Sequence, residues 1–126
     1  MTALCRVVVA DDDAPLRVLF RRLLERSGRF QVVGEACNGE EAIAMVRAER
    51  PDLALLDLAM PVVDGLEATR QIRQFAPETR IAIVSGFDSK KMEDAVREAG
   101  ADVYIEKQLR ADHLIEQVLD LWGALR

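Results

Sequence analysis

Aromatic residues are few: one Trp, one Tyr and four Phe make up 5% of the 126 residues. Any core must therefore be largely aliphatic. Cysteine is scarcer still, with Cys5 and Cys37 standing 32 positions apart, and the single histidine is His113. That inventory cannot supply a Cys/His zinc site with ordinary ligand spacing, and a Ser-His-Asp triad would have to take His113 as its base. A disulfide between the cysteines is open to the chain, but two buried thiols in a reduced cytoplasm suit it better. No apolar run approaches the roughly 20 residues that span a bilayer. No secretory leader is expected, because the short apolar block Val7-Val8-Val9-Ala10 runs straight into three aspartates. Cations are outnumbered, 17 Lys and Arg against 22 Asp and Glu, for a formal net charge of -5. That balance argues against direct binding to nucleic acid.

What is present is material for a packed core. The chain is 50% hydrophobic and 31% charged, which describes a folded domain rather than a disordered chain. Short apolar runs, at Cys5–Ala10, Gln31–Ala36, Leu53–Leu56, Ile81–Val84 and Val103–Ile105, mostly lack polar alternation. They suit strands buried on both faces of a parallel sheet. Between them lie amphipathic segments. The first carries Leu16, Leu19, Phe20, Leu23 and Leu24 on one stripe, and the last carries Leu114, Ile115, Val118, Leu119 and Trp122. Asn38 with Glu41 and Asp64 with Glu67 read as capping boxes, while Gly28 and Gly100 stand where helices should stop. Five βα units over 1–126 leave no room for an output domain. With right-handed crossovers they predict an α/β fold: a five-stranded parallel sheet, doubly wound and flavodoxin-like, flanked by five helices.

Ligands of such folds bind at the carboxyl ends of the strands. The residues there are Asp11, Asp12 and Asp13 after the first strand, Asp57 at the end of the third, Ser85 after the fourth and Lys107 after the fifth. Crowded carboxylates need protons, an ammonium or a cation to coexist. Hard oxygen donors describe a Mg²⁺ or Mn²⁺ site that keeps positions open for phosphate oxygens. Asp57 ends a buried run, where a carboxylate can attack phosphorus to give an acyl phosphate. Asp13 and Asp64 read better as helix caps than as ligands.

At this point the chain resembles the receiver domain of bacterial two-component response regulators. The likeness is carried in order by Val9-Ala10-Asp11-Asp12, Asp57-Leu58-Ala59-Met60-Pro61 with Asp64-Gly65, Val84-Ser85-Gly86, Ala99-Gly100-Ala101-Asp102 and Tyr104-Ile105-Glu106-Lys107. It implies sheet order 2-1-3-4-5, with Asp57 as phosphoacceptor. Asp12 would be a direct Mg²⁺ ligand, Asp11 would assist through water, and the Ala59 carbonyl would complete the site. Ser85 and Lys107 would take the hydroxyl and ammonium positions and Tyr104 the aromatic switch position. Phosphorylation would then change the partner affinity of the surface formed by the fourth helix, fifth strand and fifth helix. Ala59 and Phe87 occupy positions that tune acyl-phosphate lifetime, and neither can position a water, so slow autodephosphorylation is expected. The family often has proline after the lysine. Here Gln108 follows, and a trans Lys107–Gln108 bond is expected.

The resemblance further implies a histidine kinase or histidine phosphotransfer protein as donor, docking on the first helix beside Ala14, an exposed Val18, Arg21 and Arg22. The arginines at 17, 21, 22 and 26 otherwise read as a solvated face. The apolar stripe of the last helix, extended by Leu121 and Leu125, is wider than one sheet needs. It leaves surface for a downstream partner, a second copy in a homodimer, or a linker. His113 falls on the polar side of that helix and has no assigned role. A cytoplasmic signalling switch, standing alone or heading a transcriptional regulator, is the main expectation. Acting only on itself, it is not an enzyme in the ordinary sense. The alternatives are a phosphorylation-independent interaction module and a Mg²⁺-dependent phosphohydrolase. The latter usually carries a second acid where Ala59 stands.

Overall fold

The computed structural model describes residues 4–86, 91–107 and 111–125, the last stretch with side chains at 113–120, 122 and 123. Strands and helices alternate throughout: β1 (Cys5–Ala10), α1 (Ala14–Arg26), β2 (Phe30–Ala36), α2 (Gly39–Glu49), β3 (Leu53–Asp57), α3 (Gly65–Phe75), β4 (Arg80–Ser85), α4 (Glu93–Ala99), β5 (Val103–Glu106) and α5 (Ala111–Leu125). The strands are parallel, as the doubly wound reading expected, and lie in the order β2-β1-β3-β4-β5 that the resemblance implied.

Successive strand side chains point to opposite faces, and this divides the core in two. Val8, Ala10, Ala54, Leu56, Ile81 and Ile83 pack with Ala42 and Val46 of α2, Ala68 and Ile72 of α3 and Val96 of α4. Val7, Val9, Leu53, Leu55, Ala82 and Val84 pack on the other side with Phe20 and Leu24 of α1 and Leu114, Ile115 and Val118 of α5. Leu119 and Trp122 are half-buried against the same layer. So the described part of the α5 stripe is accounted for by packing on the sheet. Leu121 and Leu125 have side chains outside the described residues.

The outer strands differ from the expectation of burial on both faces. β2 bonds only to β1 and β5 only to β4. The interior of β2 is half-buried, and β5 alternates buried and half-buried residues. Leu19, expected in the α1 stripe, is 42% exposed. A helix resting on one sheet buries a narrow arc, and Phe20 and Leu24 fill its centre. Cys37 stands half-buried at the β2–α2 turn rather than in the core, and no disulfide joins it to Cys5.

The caps form largely as read. Asp13 Oδ1 accepts the Leu16 N–H at 3.2 Å, Asn38 Oδ1 the Glu41 N–H at 2.8 Å, and Asp64 Oδ1 the Glu67 N–H at 2.8 Å. The boxes do not close reciprocally. The Glu41 carboxylate takes the N–H of Cys37, and that of Glu67 bonds Arg70 and Gln71. Gly28 and Gly100 take the left-handed conformation at φ +76° and +117°, ending α1 and α4.

The β3–α3 loop is held unusually close to its neighbours. A Cβ on Gly39 would overlap the Val63 carbonyl, and one on Gly65 the Asp57 carbonyl. Between these contacts the Val63 N–H donates to the Pro61 carbonyl at 2.8 Å. This closes a three-residue turn around Val62 at φ +69°. Positive φ is costly for a β-branched residue, and this one is 73% exposed.

Candidate functional site

The helices after β1 and β3 leave on opposite faces of the sheet, since α1 packs in one core layer and α3 in the other. These two strands are neighbours, so their outgoing loops part and open a crevice at the carboxyl edge. Asp11 and Asp12 stand on one side of it and Asp57 on the other. One carboxylate oxygen from each lies within 4.8 Å of the other two. Asp11 and Asp57 are buried and Asp12 is exposed.

Asp57 closes β3, paired with Val84 of β4. Burial, then repulsion from Asp11, push its carboxyl up to about 6, against the opposing pull of Lys107 and of a hydrogen bond to the Ala59 backbone. Lys107 Nζ donates to Asp57 Oδ2 at 3.2 Å and lies 3.4 Å from Asp11 Oδ2. Its own backbone N–H is bonded to the Ser85 carbonyl at 2.7 Å, which seats the end of β5 against β4. Burial opposes the ammonium charge, but Asp57 and Asp11 outweigh it and hold the lysine above its usual range. The site is thus an acidic pair bridged by one amine, with Asp12 open to solvent beside it. Hard carboxylate oxygens at this spacing suit a divalent cation such as Mg²⁺.

Ser85 lies one residue beyond the Asp57 partner on β4 and is fully buried. Its Oγ donates to the Gly86 carbonyl at 2.9 Å, and the Tyr104 hydroxyl is 2.7 Å away. With the serine proton so used, Tyr104 is the donor of that pair. The structure therefore groups the expected residues into two sets: Asp11, Asp12, Asp57 and Lys107, and Ser85 with Tyr104. Ala59 is exposed just past Asp57. Phe87 and the Lys107–Gln108 bond lie outside the described residues.

On α1, Ala14 and Arg22 are exposed, but Val18 is half-buried rather than exposed as expected. The arginine strip is not uniformly solvated either. Arg21 Nη1 donates to Glu35 Oε2 at 2.6 Å. Arg17 Nε donates to the other Glu35 oxygen at 3.1 Å, and its Nη1 to the Asp11 carbonyl at 2.6 Å. Sequence reasoning missed Arg17 and Glu35. The available signal was an acid in the middle of the apolar run Val32-Val33-Gly34-Glu35-Ala36.

A doubly wound sheet with an acidic, amine-bridged crevice at its switch point defines a class, and comparison with known proteins narrows it. A family model described as the response regulator receiver domain matches residues 7–119, and the chain belongs to that family. It is 36% identical over 120 residues to the chemotaxis protein CheY of Halobacterium salinarum, covering 94% of this chain and 98% of that one. It is 35% identical over 113 residues to the transcriptional regulatory protein DegU of Brevibacillus brevis, covering 90% of this chain and 48% of that one. The chain thus spans nearly all of one relative and about half of the other. The solved signal receiver domain of the putative response regulator NarL from Mycobacterium tuberculosis superposes with a TM-score of 0.87 at 33% identity, over 95% of this chain and 97% of that one. Receiver domains are signalling modules of two-component systems, not classical enzymes, and bind Mg²⁺ at an acidic pocket. Among the described residues no helix is long and apolar enough to cross a membrane.

Proposed function

We propose that this receiver is a phosphorylation-dependent switch whose phosphoacceptor is Asp57. The observation that carries the proposal is the Lys107 amine, with Nζ 3.2 Å from Asp57 and 3.4 Å from Asp11 at a rim shared with Asp12. Asp11, Asp12, Asp57 and the Ala59 carbonyl would hold Mg²⁺ (or Mn²⁺), Asp12 directly and Asp11 through water. The bound ion supplies charge compensation for the phosphoryl group. The donor is a phosphohistidine of a histidine kinase or phosphotransfer protein, docking along α1. An Asp57 carboxylate oxygen attacks phosphorus. The P–O bond forms as the P–N bond breaks, and the electron pair stays on the imidazole nitrogen, which takes up a proton. Lys107 and Ser85 hydrogen-bond the transferred oxygens and spread the charge of a loose transition state. A carboxyl pushed up to about 6 remains ionised at neutral pH and is more basic than an ordinary aspartate.

To reach those oxygens, Ser85 Oγ must give up Gly86 and Tyr104. The tyrosine then loses its partner, and its half-buried ring is released to move on the α4–β5–α5 face, altering affinity for a downstream output protein or domain. The reading places the protein in the cytoplasm with 1–126 as one receiver. It acts alone or as the N-terminal part of a transcriptional regulator, and relatives of both kinds, CheY and DegU, match the chain. Direct nucleic-acid contact is not part of this role, and a homodimer through α5 is compatible with it. Intact-mass analysis after incubation with acetyl phosphate and Mg²⁺ tests the proposal. Wild type should gain one phosphoryl group and Asp57→Asn none. An adduct that persists in Asp57→Asn, or none in wild type, overturns it.

A further inference from the structure

Arg17 bonds none of the three rim carboxylates, yet it is closely engaged behind them. Its side chain is only 17% exposed. The carbonyl held by Nη1 at 2.6 Å belongs to the peptide that joins Asp11 to Asp12, the two acids on the β1 side of the crevice. Nε is braced at 3.1 Å by Glu35 of β2, whose second oxygen is fixed at 2.6 Å by Arg21. The rest of the loop is pinned from other directions. The Asp11 N–H bonds the Ala36 carbonyl at 3.0 Å, and the Asp13 N–H bonds Asp11 Oδ1 at 2.9 Å. Among the described residues, Arg17 is the partner that fixes the rotation of the Asp11–Asp12 peptide. A guanidinium suits that task because its planar fork reaches a carbonyl and a carboxylate at once.

We propose that Arg17, braced by Glu35, is a positioning residue for the cation site, setting the Asp11–Asp12 peptide so that both carboxylates face Asp57. The inference rests on reading the three acids as a metal site and adds a residue behind the rim. A purely electrostatic role has the opposite consequence. A guanidinium close to the crevice repels a divalent cation, so removing its charge would tighten binding. Loss of orientation loosens it.

Mn²⁺ affinity of the full chain, followed by the electron paramagnetic resonance of the unbound ion, separates the two. Arg17→Met should bind Mn²⁺ about tenfold more weakly, the scale of an outer contact to a ligand-bearing group. The backbone amide resonances of Asp12 and Asp13 should move in the metal-free protein. Arg17→Lys can reach the carbonyl but cannot grip Glu35 at the same time, so it should recover part of the affinity. Should Arg17→Met not fold, Arg17→Lys carries the comparison by itself and should still bind more weakly than wild type. Equal or tighter binding by the substituted protein overturns the inference alone. A wild-type protein showing no Mn²⁺ affinity that Asp12→Asn lowers overturns the metal reading and this inference with it.

Discussion

The two edges of the sheet are built on opposite electrostatic plans. Where the strands begin, unlike charges meet and carbonyls are taken up. Arg73 of α3 donates to the Gly100 carbonyl at 2.7 and 3.0 Å, to those of Pro77 and Thr79 at 3.0 and 2.8 Å, and to Asp102 at 2.9 Å. Asp102 in turn accepts the Ile81 N–H at 2.8 Å. Arg6 uses its backbone N–H on Asp52 and its guanidinium on the last carbonyls of α2. Where the strands end, three carboxylates crowd together with one lysine among them. The first edge lowers the energy of the fold. The second holds a carboxyl that is harder to ionise than it would be in the unfolded chain. One scaffold thus separates stabilisation from reactivity by a strand length, and the reactive edge is tolerable because the other is so well satisfied.

That contrast can be broken at either end. The largest change in stability is expected from Arg73→Met, which strips several donors from carbonyls around Gly100 and Thr79. Urea denaturation should show a loss of about 3 kcal/mol, with Mg²⁺ affinity of the folded protein unchanged. At the opposite edge Asp57→Asn should stabilise the metal-free protein by about 2 kcal/mol at pH 7.5. The sign follows from proton linkage. Folded Asp57 takes its proton near pH 6 and the unfolded residue near 3.8. The wild type therefore gains stability from this group as pH falls from 7 towards 4, and the substituted protein does not. The advantage of Asp57→Asn should close over that window, and an advantage independent of pH would contradict the account. Val62→Gly relieves the positive φ of the β3–α3 turn and, net of the freedom glycine adds to the unfolded chain, should add about 1 kcal/mol by thermal denaturation. Smallest is Ala59→Asn. An amide beside Asp57 can position a water, and loss of the acyl phosphate should quicken a few-fold by timed acid quench.

Much of this was legible in the residues. Strand cores showed as short aliphatic runs, and the capping residues Asp13, Asn38 and Asp64 showed because their side chains act within three positions of themselves. Asp11, Asp12, Asp57 and Lys107 could be brought together on paper because parallel strands share one carboxyl edge. The misses have a common cause: they depend on contacts between elements. Periodicity put Arg17 on the outer side of α1 but could not show its guanidinium reaching back to the Asp11 carbonyl. It put Leu19 in a stripe without showing how narrow an arc the sheet covers. It overstated the burial of β2 and β5 because composition does not say which strands lie at the edge. The turn at Val62 was hidden for another reason. A β-branched residue is the wrong chemistry for positive φ, and the turn it occupies lies between the close approaches of the chain to Gly39 and Gly65.

The sheet is also a partition. Among the described residues, the aliphatic layer under α1 and α5 and the one under α2, α3 and α4 form separate clusters on opposite faces of the sheet. A methyl group gained or lost on one side can be absorbed by the helices of that side. Descendants of such a chain are free to resculpt either flank on its own schedule, acquiring new listeners or new callers. In the crevice between β1 and β3 the two flanks meet, and there neither can alter without affecting the other.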